Sequence, residues 1–270
     1  MPEGHTVHRL ARDHASWFVG QSLDISSPQG RFENEAAVID RQRLVSVEAH
    51  GKHLFYLFDN HHHLHIHLGL YGKYRVYKHS ADAPVPEPRG AVRLRMIGQE
   101  RIVDLNGPNQ CELLDDDAVA GIHARLGPDP LRAGDDPSPA WKRISKSRTS
   151  IGQLLMDQSV IAGIGNIYRT ELLWRVGLHP LTPGNAVTRR QFNTIWKLAC
   201  ELLAIGVKHN RIITVDIKKI GKTASKLVAG ERLNIFAQTT CPTCGGGVEK
   251  FVLATRRAYL CSRCQPRGVA

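Results

Sequence analysis

Near its C-terminal end the chain carries two cysteine pairs, Cys241-Pro-Thr-Cys244 and Cys261-Ser-Arg-Cys264, with sixteen residues between them. Each pair forms a knuckle that offers two thiolates to one metal ion. Four thiolates fill the tetrahedral shell that zinc prefers and leave no position for water, so the expected ion is one structural zinc per chain. The alternatives are four unmetallated thiols or two disulfides, which the spacing and a reducing compartment disfavour. Lys250, Arg256, Arg257 and Tyr259 fall between the pairs, on an expected hairpin. Basic residues on a metal-fixed hairpin suit a nucleic-acid groove, although on charge alone they describe a solvated face. The two other cysteines, Cys111 and Cys200, read as ordinary buried thiols.

Charge points the same way. Lys and Arg number 36 against 25 Asp and Glu in 270 residues, a formal net charge of +11. That surplus favours a polyanionic partner, either nucleic acid or a membrane surface. No apolar run approaches the roughly 20 residues of a membrane span, and the start Met-Pro-Glu-Gly-His-Thr does not read as a signal peptide. The expectation is a cytoplasmic protein without a membrane partner.

The periodicity changes along the chain. Val7, Leu10, Ala11, His14, Trp17 and Phe18 have helical spacing, with Gly20 as a stop. Short β-like segments follow around 44–47, 54–58, 64–68, 73–77, 92–96 and 102–105, a pattern that suits a sandwich or barrel. A short helix is expected after 115–117, ending near Gly127. Pro- and Asp-rich residues 127–139 read as a linker. Beyond it, 150–158, 166–176 and 188–207 each carry a helical apolar face, and 208–230, with Lys218, Lys219, Lys222 and Lys226, reads as a loop or weak helix. The order is β-rich, then helical, then zinc ribbon, with expected segments 1–127, 128–237 and 238–267.

Two further motifs bear on chemistry. In Gly163-Ile-Gly-Asn166 a glycine-punctuated turn opens a helix, and helix starts present unpaired N–H groups that bind phosphate. Asn166 is placed either to cap that helix or to touch a phosphate itself. At the N-terminus, removal of Met1 before a proline leaves Pro2 with a free secondary amine. An α-amine with a pKa near roughly 8 is partly neutral, hence nucleophilic, at physiological pH. Glu3 stands beside it as a candidate acid or base.

Taken together these pieces resemble the formamidopyrimidine-DNA glycosylase / endonuclease VIII family. The likeness runs through Pro2-Glu3-Gly4, Gly51-Lys52, His67-Leu-Gly-Leu-Tyr-Gly72, Leu126-Gly-Pro-Asp-Pro-Leu131, Leu155-Met-Asp-Gln158, Gly163-Ile-Gly-Asn-Ile-Tyr168 and the cysteine pairs, in that order. The resemblance implies an α+β fold: an N-terminal β-sandwich, a helix–two-turns–helix domain and a zinc ribbon. It also implies a monomer that acts on damaged DNA and associates with the nucleoid when bound. Carried over by position, Pro2 is the nucleophile that forms a Schiff base with the sugar, Glu3 its acid/base partner, and Lys52 a phosphate contact that assists. Asn166 and Arg256 are phosphate clamps. Leu70 and Tyr71 stand where the family inserts wedges into the vacated stack, with burial at a strand end as the other placement.

The chain also departs from the family. Pro108-Asn109-Gln110 replaces the Arg-Arg-Phe loop of the guanine-lesion branch, and Leu70-Tyr71-Gly72 is closer to the endonuclease VIII branch, which favours oxidised pyrimidines. His5 and Thr6 stand where the family has a second carboxylate. The competing readings are a purine-specific glycosylase, a non-catalytic binder of abasic or distorted DNA, and a zinc-ribbon transcription or RNA-binding factor. His61, His62, His63, His65 and His67 suggest a metal site, but without a nearby carboxylate or cysteine in sequence they read as exposed or hydrogen-bonded.

Overall fold

The alternating segments of the first half form two separate antiparallel sheets, a sandwich and not a closed barrel, in the computed structural model of the chain. The structure describes residues 2–80 and 82–267; Met1 and the side chain of Lys218 lie outside the described residues. The chain divides into two units, one holding Pro2 and Val7–Arg125, the other Glu3–Thr6 and residues 126–267.

In the first unit, helix α1 (Gly4–Phe18) leads into β1 (Asp24–Ser26) and α2 (Glu33–Ile39). Strands β2 (Leu44–His50), β3 (His53–Phe58), β4 (His63–His67), β5 (Lys73–Lys78), β6 (Val92–Ile97), β7 (Arg101–Asn106) and β8 (Gln110–Leu114) follow, and α3 (Asp116–Arg125) closes the unit. One sheet has the order β1-β6-β7-β5, the other β2-β3-β4-β8. Because strand side chains alternate, Leu54, Tyr56 and Phe58 share a face with Leu64 and Ile66, and they pack with Leu94, Met96, Val103 and Leu105. Val7, Ala11 and Phe18 of α1 belong to the same core. The six expected strands and the leading helix are present; β1, α2 and β8 are additions that their short, mixed sequences did not signal. The expected stop at Gly20 is real: its φ is +88° and its N–H reaches Leu44 O at 2.8 Å.

The second unit is helical, with α4 (Ser138–Ile144), α5 (Ile151–Leu154), α6 (Asn166–Val176) and α7 (Arg189–His209), followed by the hairpin β9 (Glu249–Leu253) and β10 (Arg256–Leu260). Two expectations are corrected. Helix α4 begins inside the expected linker, because prolines are tolerated in the first turn of a helix, where no N–H partner is needed. The helix expected over 150–158 stops at Leu154. The Gln158 amide bends the chain by donating to Met156 O and Ile164 O at 3.0 Å, and its oxygen accepts from Gly163 N at 3.0 Å. The long α7 starts where expected, with Thr188 and Gln191 forming a reciprocal capping box. Apolar residues of α4 through α7, among them Ile144, Leu172, Phe192 and Leu203, build one core. No helix among the described residues is long and apolar enough to cross a membrane.

Candidate functional site

The first turn of α6 is capped by a side chain from the far end of the sequence. Glu3 is fully buried, and its carboxylate accepts from Gly165 N at 3.0 Å, Ile167 N at 2.9 Å and Tyr168 N at 3.4 Å. The unpaired N–H groups and the dipole of the helix start hold its negative charge there. Gly165 explains itself through this contact: a Cβ at that position would lie 2.3 Å from Glu3 Cδ. Gly4 N also donates to Gly163 O at 2.8 Å. Residues 163–165 and 3–4 are therefore docked by main-chain and carboxylate contacts, and Pro2 is covalently the next residue.

Asn166 does not cap the helix, because Gly165 holds the N-cap position. The capping alternative is corrected: the carboxylate that serves the turn comes from Glu3, not from the local side chain. The Asn166 amide donates to Arg257 O at 2.9 Å and accepts from Arg169, so it joins α6 to the hairpin that carries Arg256. Arg169 also donates to Arg257 O at 3.3 Å and Gly152 O at 3.4 Å. Burial brings its guanidinium down to about 10, still fully charged at neutral pH. Sequence reasoning missed Arg169; its only signal was a cation one turn beyond Asn166 on a helix with a buried face.

His5 and Thr6 supply no carboxylate in place of the missing one. His5 is buried, sits edge-on to Tyr168 at 5.5 Å, and is held to about 4 by burial, so it is neutral at physiological pH.

The cysteine pairs converge as expected. All four sulfurs lie within 4.8 Å of one another, with Cys241 and Cys264 at 3.7 Å and Cys244 and Cys261 at 3.4 Å. Sulfurs bound to one tetrahedral zinc at about 2.3 Å would be spaced about 3.8 Å apart, so the donor set fits that ion. Burial works against ionising Cys241, but the N–H groups of Cys244 and Thr243 overcome it and bring the thiol to about 6. Gln265 anchors the ribbon by accepting from Cys261 N at 3.1 Å and donating to Leu178 O at 2.9 Å. Arg256 opens β10 directly after the tight turn at Ala254 and Thr255, both with positive φ.

Glu3, Asn166, Arg256 and the cysteines are thus brought into one unit, whereas Lys52, Leu70 and Tyr71 belong to the other. Lys52 occupies the turn between β2 and β3. Leu70 and Tyr71 follow β4 in a loop pinched shut by Gly72 N donating to Leu68 O at 2.9 Å; a Cβ on Gly72 would meet that oxygen at 2.3 Å. Tyr71 is 84% exposed and Leu70 44%, so burial at a strand end is ruled out for both. Cys111 and Cys200 are only partly buried. A cleft of about 760 Å³ in the second unit is lined by Trp174, Asp216, Lys219, Asn234 and Pro242, and none of Glu3, Asn166 or Arg256 borders it.

Comparison with known proteins agrees across the chain. Residues 1–111 match the formamidopyrimidine-DNA glycosylase N-terminal domain, and 126–217 match the formamidopyrimidine-DNA glycosylase H2TH domain. Endonuclease 8 1 of Mycobacterium tuberculosis is 44% identical over 267 residues, covering 98% of this chain and all of that protein. The formamidopyrimidine-DNA glycosylase of Thermomicrobium roseum is 31% identical, covering 98% of this chain and 99% of the relative. A solved complex between the Lactococcus lactis Fpg and an abasic-site-containing DNA superposes with a TM-score of 0.79 at 23% identity, over 98% of this chain and 100% of that one, a likeness of fold.

Proposed function

The chain belongs to the formamidopyrimidine-DNA glycosylase family, DNA glycosylases of base excision repair with AP lyase activity, and on that footing we propose that it removes oxidised bases, pyrimidines in preference to purines, through a Schiff base on Pro2. The observation that carries this reading is the buried Glu3 carboxylate fixed to the start of α6, because it holds the residue next to Pro2 in one place.

The steps follow from the groups. The target carbon is unreachable in a stacked duplex, so the nucleotide is everted at a cost of a few kcal/mol. Once Met1 is removed, the Pro2 nitrogen attacks the anomeric carbon; the damaged base leaves with its bonding pair and takes up a proton. The Glu3 carboxylate takes the proton lost by the Pro2 nitrogen and passes it to the ring oxygen as the sugar opens, while the freed nitrogen lone pair completes the iminium. Loss of a proton from the adjacent carbon expels the 3′ phosphate, and a second elimination expels the 5′ phosphate. Lys52 contacts a phosphate beside the lesion. Asn166, at the start of α6, and Arg256, from the hairpin, grip the backbone on which these steps act, while Leu70 and Tyr71 fill the vacated stack. Segments 1–127, 128–237 and 238–267 serve as catalytic, DNA-binding and ribbon parts of a cytoplasmic monomer whose partner is damaged DNA. Cys241, Cys244, Cys261 and Cys264 would hold a zinc ion that supplies folding energy and no chemistry.

The test is borohydride reduction of processed protein mixed with an oxidised-pyrimidine duplex, followed by peptide mass analysis. A covalent adduct on Pro2 is expected. Tight binding without any adduct would replace the enzyme with a binder on the same scaffold. Parallel oxidised-purine duplexes at a fixed salt concentration decide the lesion class, since phosphate contacts make affinity strongly salt-dependent.

A further inference from the structure

An asparagine amide has an accepting end and a donating end of nearly the same shape, and half a turn of its plane exchanges them. Which end it presents is decided by what its neighbours can give or take. At Asn166 the two neighbours agree. Arg169, one turn further along α6, donates to Oδ1, and Arg257 O on β10 accepts from Nδ2 at 2.9 Å.

Arg169 is 1% exposed, so it works from inside the unit, where a bound strand cannot touch it. A guanidinium donates and never accepts. Its bonds go to Asn166 Oδ1, to Arg257 O at 3.3 Å and to Gly152 O at 3.4 Å, and one cation thereby joins α5, α6 and the hairpin. Turning the Asn166 amide over would set its NH2 against that guanidinium and its oxygen against the Arg257 carbonyl. Both contacts would be mismatched, in a buried place where mismatches cost most. One Nδ2 hydrogen is left after the bond to Arg257 O. The main chain adds a second donor: Glu3 takes the N–H groups of Gly165, Ile167 and Tyr168, and among the described residues none accepts from Asn166 N. Asn166 keeps two donors in hand, with its side-chain oxygen committed to Arg169.

We propose that Arg169 is a positioning residue for Asn166: by taking up the amide oxygen it leaves only N–H groups to meet a DNA phosphate. An amide free to turn would present its oxygen to the anion part of the time, and an acceptor facing a phosphate repels it. With the amide fixed in the folded protein, that ordering no longer has to be supplied when DNA binds. This role rests on the assignment of Asn166 to a backbone phosphate.

The test is a double-mutant cycle on the full chain, with Tm as the control. It is read as affinity, at fixed salt, for a duplex carrying tetrahydrofuran, an uncleavable stand-in for the abasic sugar. Asn166→Ala should raise Kd about tenfold, the loss of one hydrogen bond to a charged group. Arg169→Met, of similar length but without a donor, should raise Kd roughly three- to tenfold, the cost of ordering one freed side chain on binding. On the Asn166→Ala background it should add nothing further. Asn166→Asp keeps an acceptor for Arg169 but has no side-chain N–H, and should bind more weakly than Asn166→Ala; equal or tighter binding would count against the role. If Asn166→Ala binds like wild type, the phosphate assignment fails and Arg169 has nothing to position. If Asn166→Ala is weak while Arg169→Met binds like wild type, or lowers affinity by its full factor on the Asn166→Ala background too, the assignment stands and the positioning role is overturned. Should Arg169→Met not fold, Arg169→Gln decides by the same cycle, because its amide keeps a hydrogen bond with Asn166 in either orientation.

Discussion

Glu3 and Glu171 are both wholly buried in the second unit and both accept main-chain hydrogen bonds, yet they stand in opposite relations to the regions they serve. Glu3 meets the start of α6, a helix whose first N–H groups point outward whatever residue faces them. The helix holds the carboxylate. Glu171 sits further along the same helix and gathers an irregular segment: Asn234 N at 2.9 Å and Nδ2 at 2.8 Å, Ile235 N at 2.9 Å, Phe236 N at 2.8 Å and Thr214 Oγ1 at 2.5 Å. Those donors have no ladder of their own, so there the carboxylate holds the chain. A carboxylate that is held is available for chemistry; one that holds is architecture.

The sharpest way to break the contrast is Glu3→Gln. Loss of an acid/base group should cut single-turnover excision by roughly 10²–10⁴-fold, while weakened charge-assisted hydrogen bonds cost only about 1–3 kcal/mol of stability. A variant with wild-type turnover but a large drop in unfolding free energy would make Glu3 a second Glu171. Next in size is Gly165→Ala. Its Cβ would displace the Glu3 carboxyl from 2.3 Å, so excision should fall by about a hundredfold. Gly230→Ala, with nothing within 4 Å of its Cβ, is the control that should change nothing.

Glu171→Ala should remove about 3 kcal/mol, because it leaves several buried donors without an acceptor. Hydrogen exchange should locate the loosening in residues 213–236, and excision by the folded fraction should stay near normal. A uniform loss across the unit would say that this segment does not depend on its carboxylate. The smallest effect is expected for Tyr71→Ala. At 84% exposure its loss should move stability by no more than about 0.5 kcal/mol, while affinity for a lesion duplex falls more than affinity for an intact one. Equal affinities would remove the wedge assignment.

Regions differed in how plainly their sequences announced them. The cysteine spacing stated its own geometry, since two knuckles and one tetrahedral ion leave little choice. Six of the eight strands of the first unit followed from alternation, and α7 from its apolar stripe and Thr188 cap. By contrast, residues 155–158 continue a helical pattern that the Gln158 side chain breaks through contacts reaching Gly163 and Ile164. Helix α4 was masked by the prolines that start it. Arg169 and Glu171 carried no motif; each is a charge on a buried helix face whose partners come from 152, 214, 234–236 and 257.

The linear order of residues was therefore enough to settle the family, six of the eight sandwich strands, the four-cysteine ribbon and the chemical types gathered at the N-terminus. Those features obey rules that act over a few residues: alternation, helical period, knuckle spacing. Folding alone decided that Glu3 would cap a helix 162 residues away, that Asn166 would tie that helix to the hairpin, and that Arg169 would take up the Asn166 amide oxygen. A buried polar group must find its partner wherever the chain returns, and that return is a property of the packed whole.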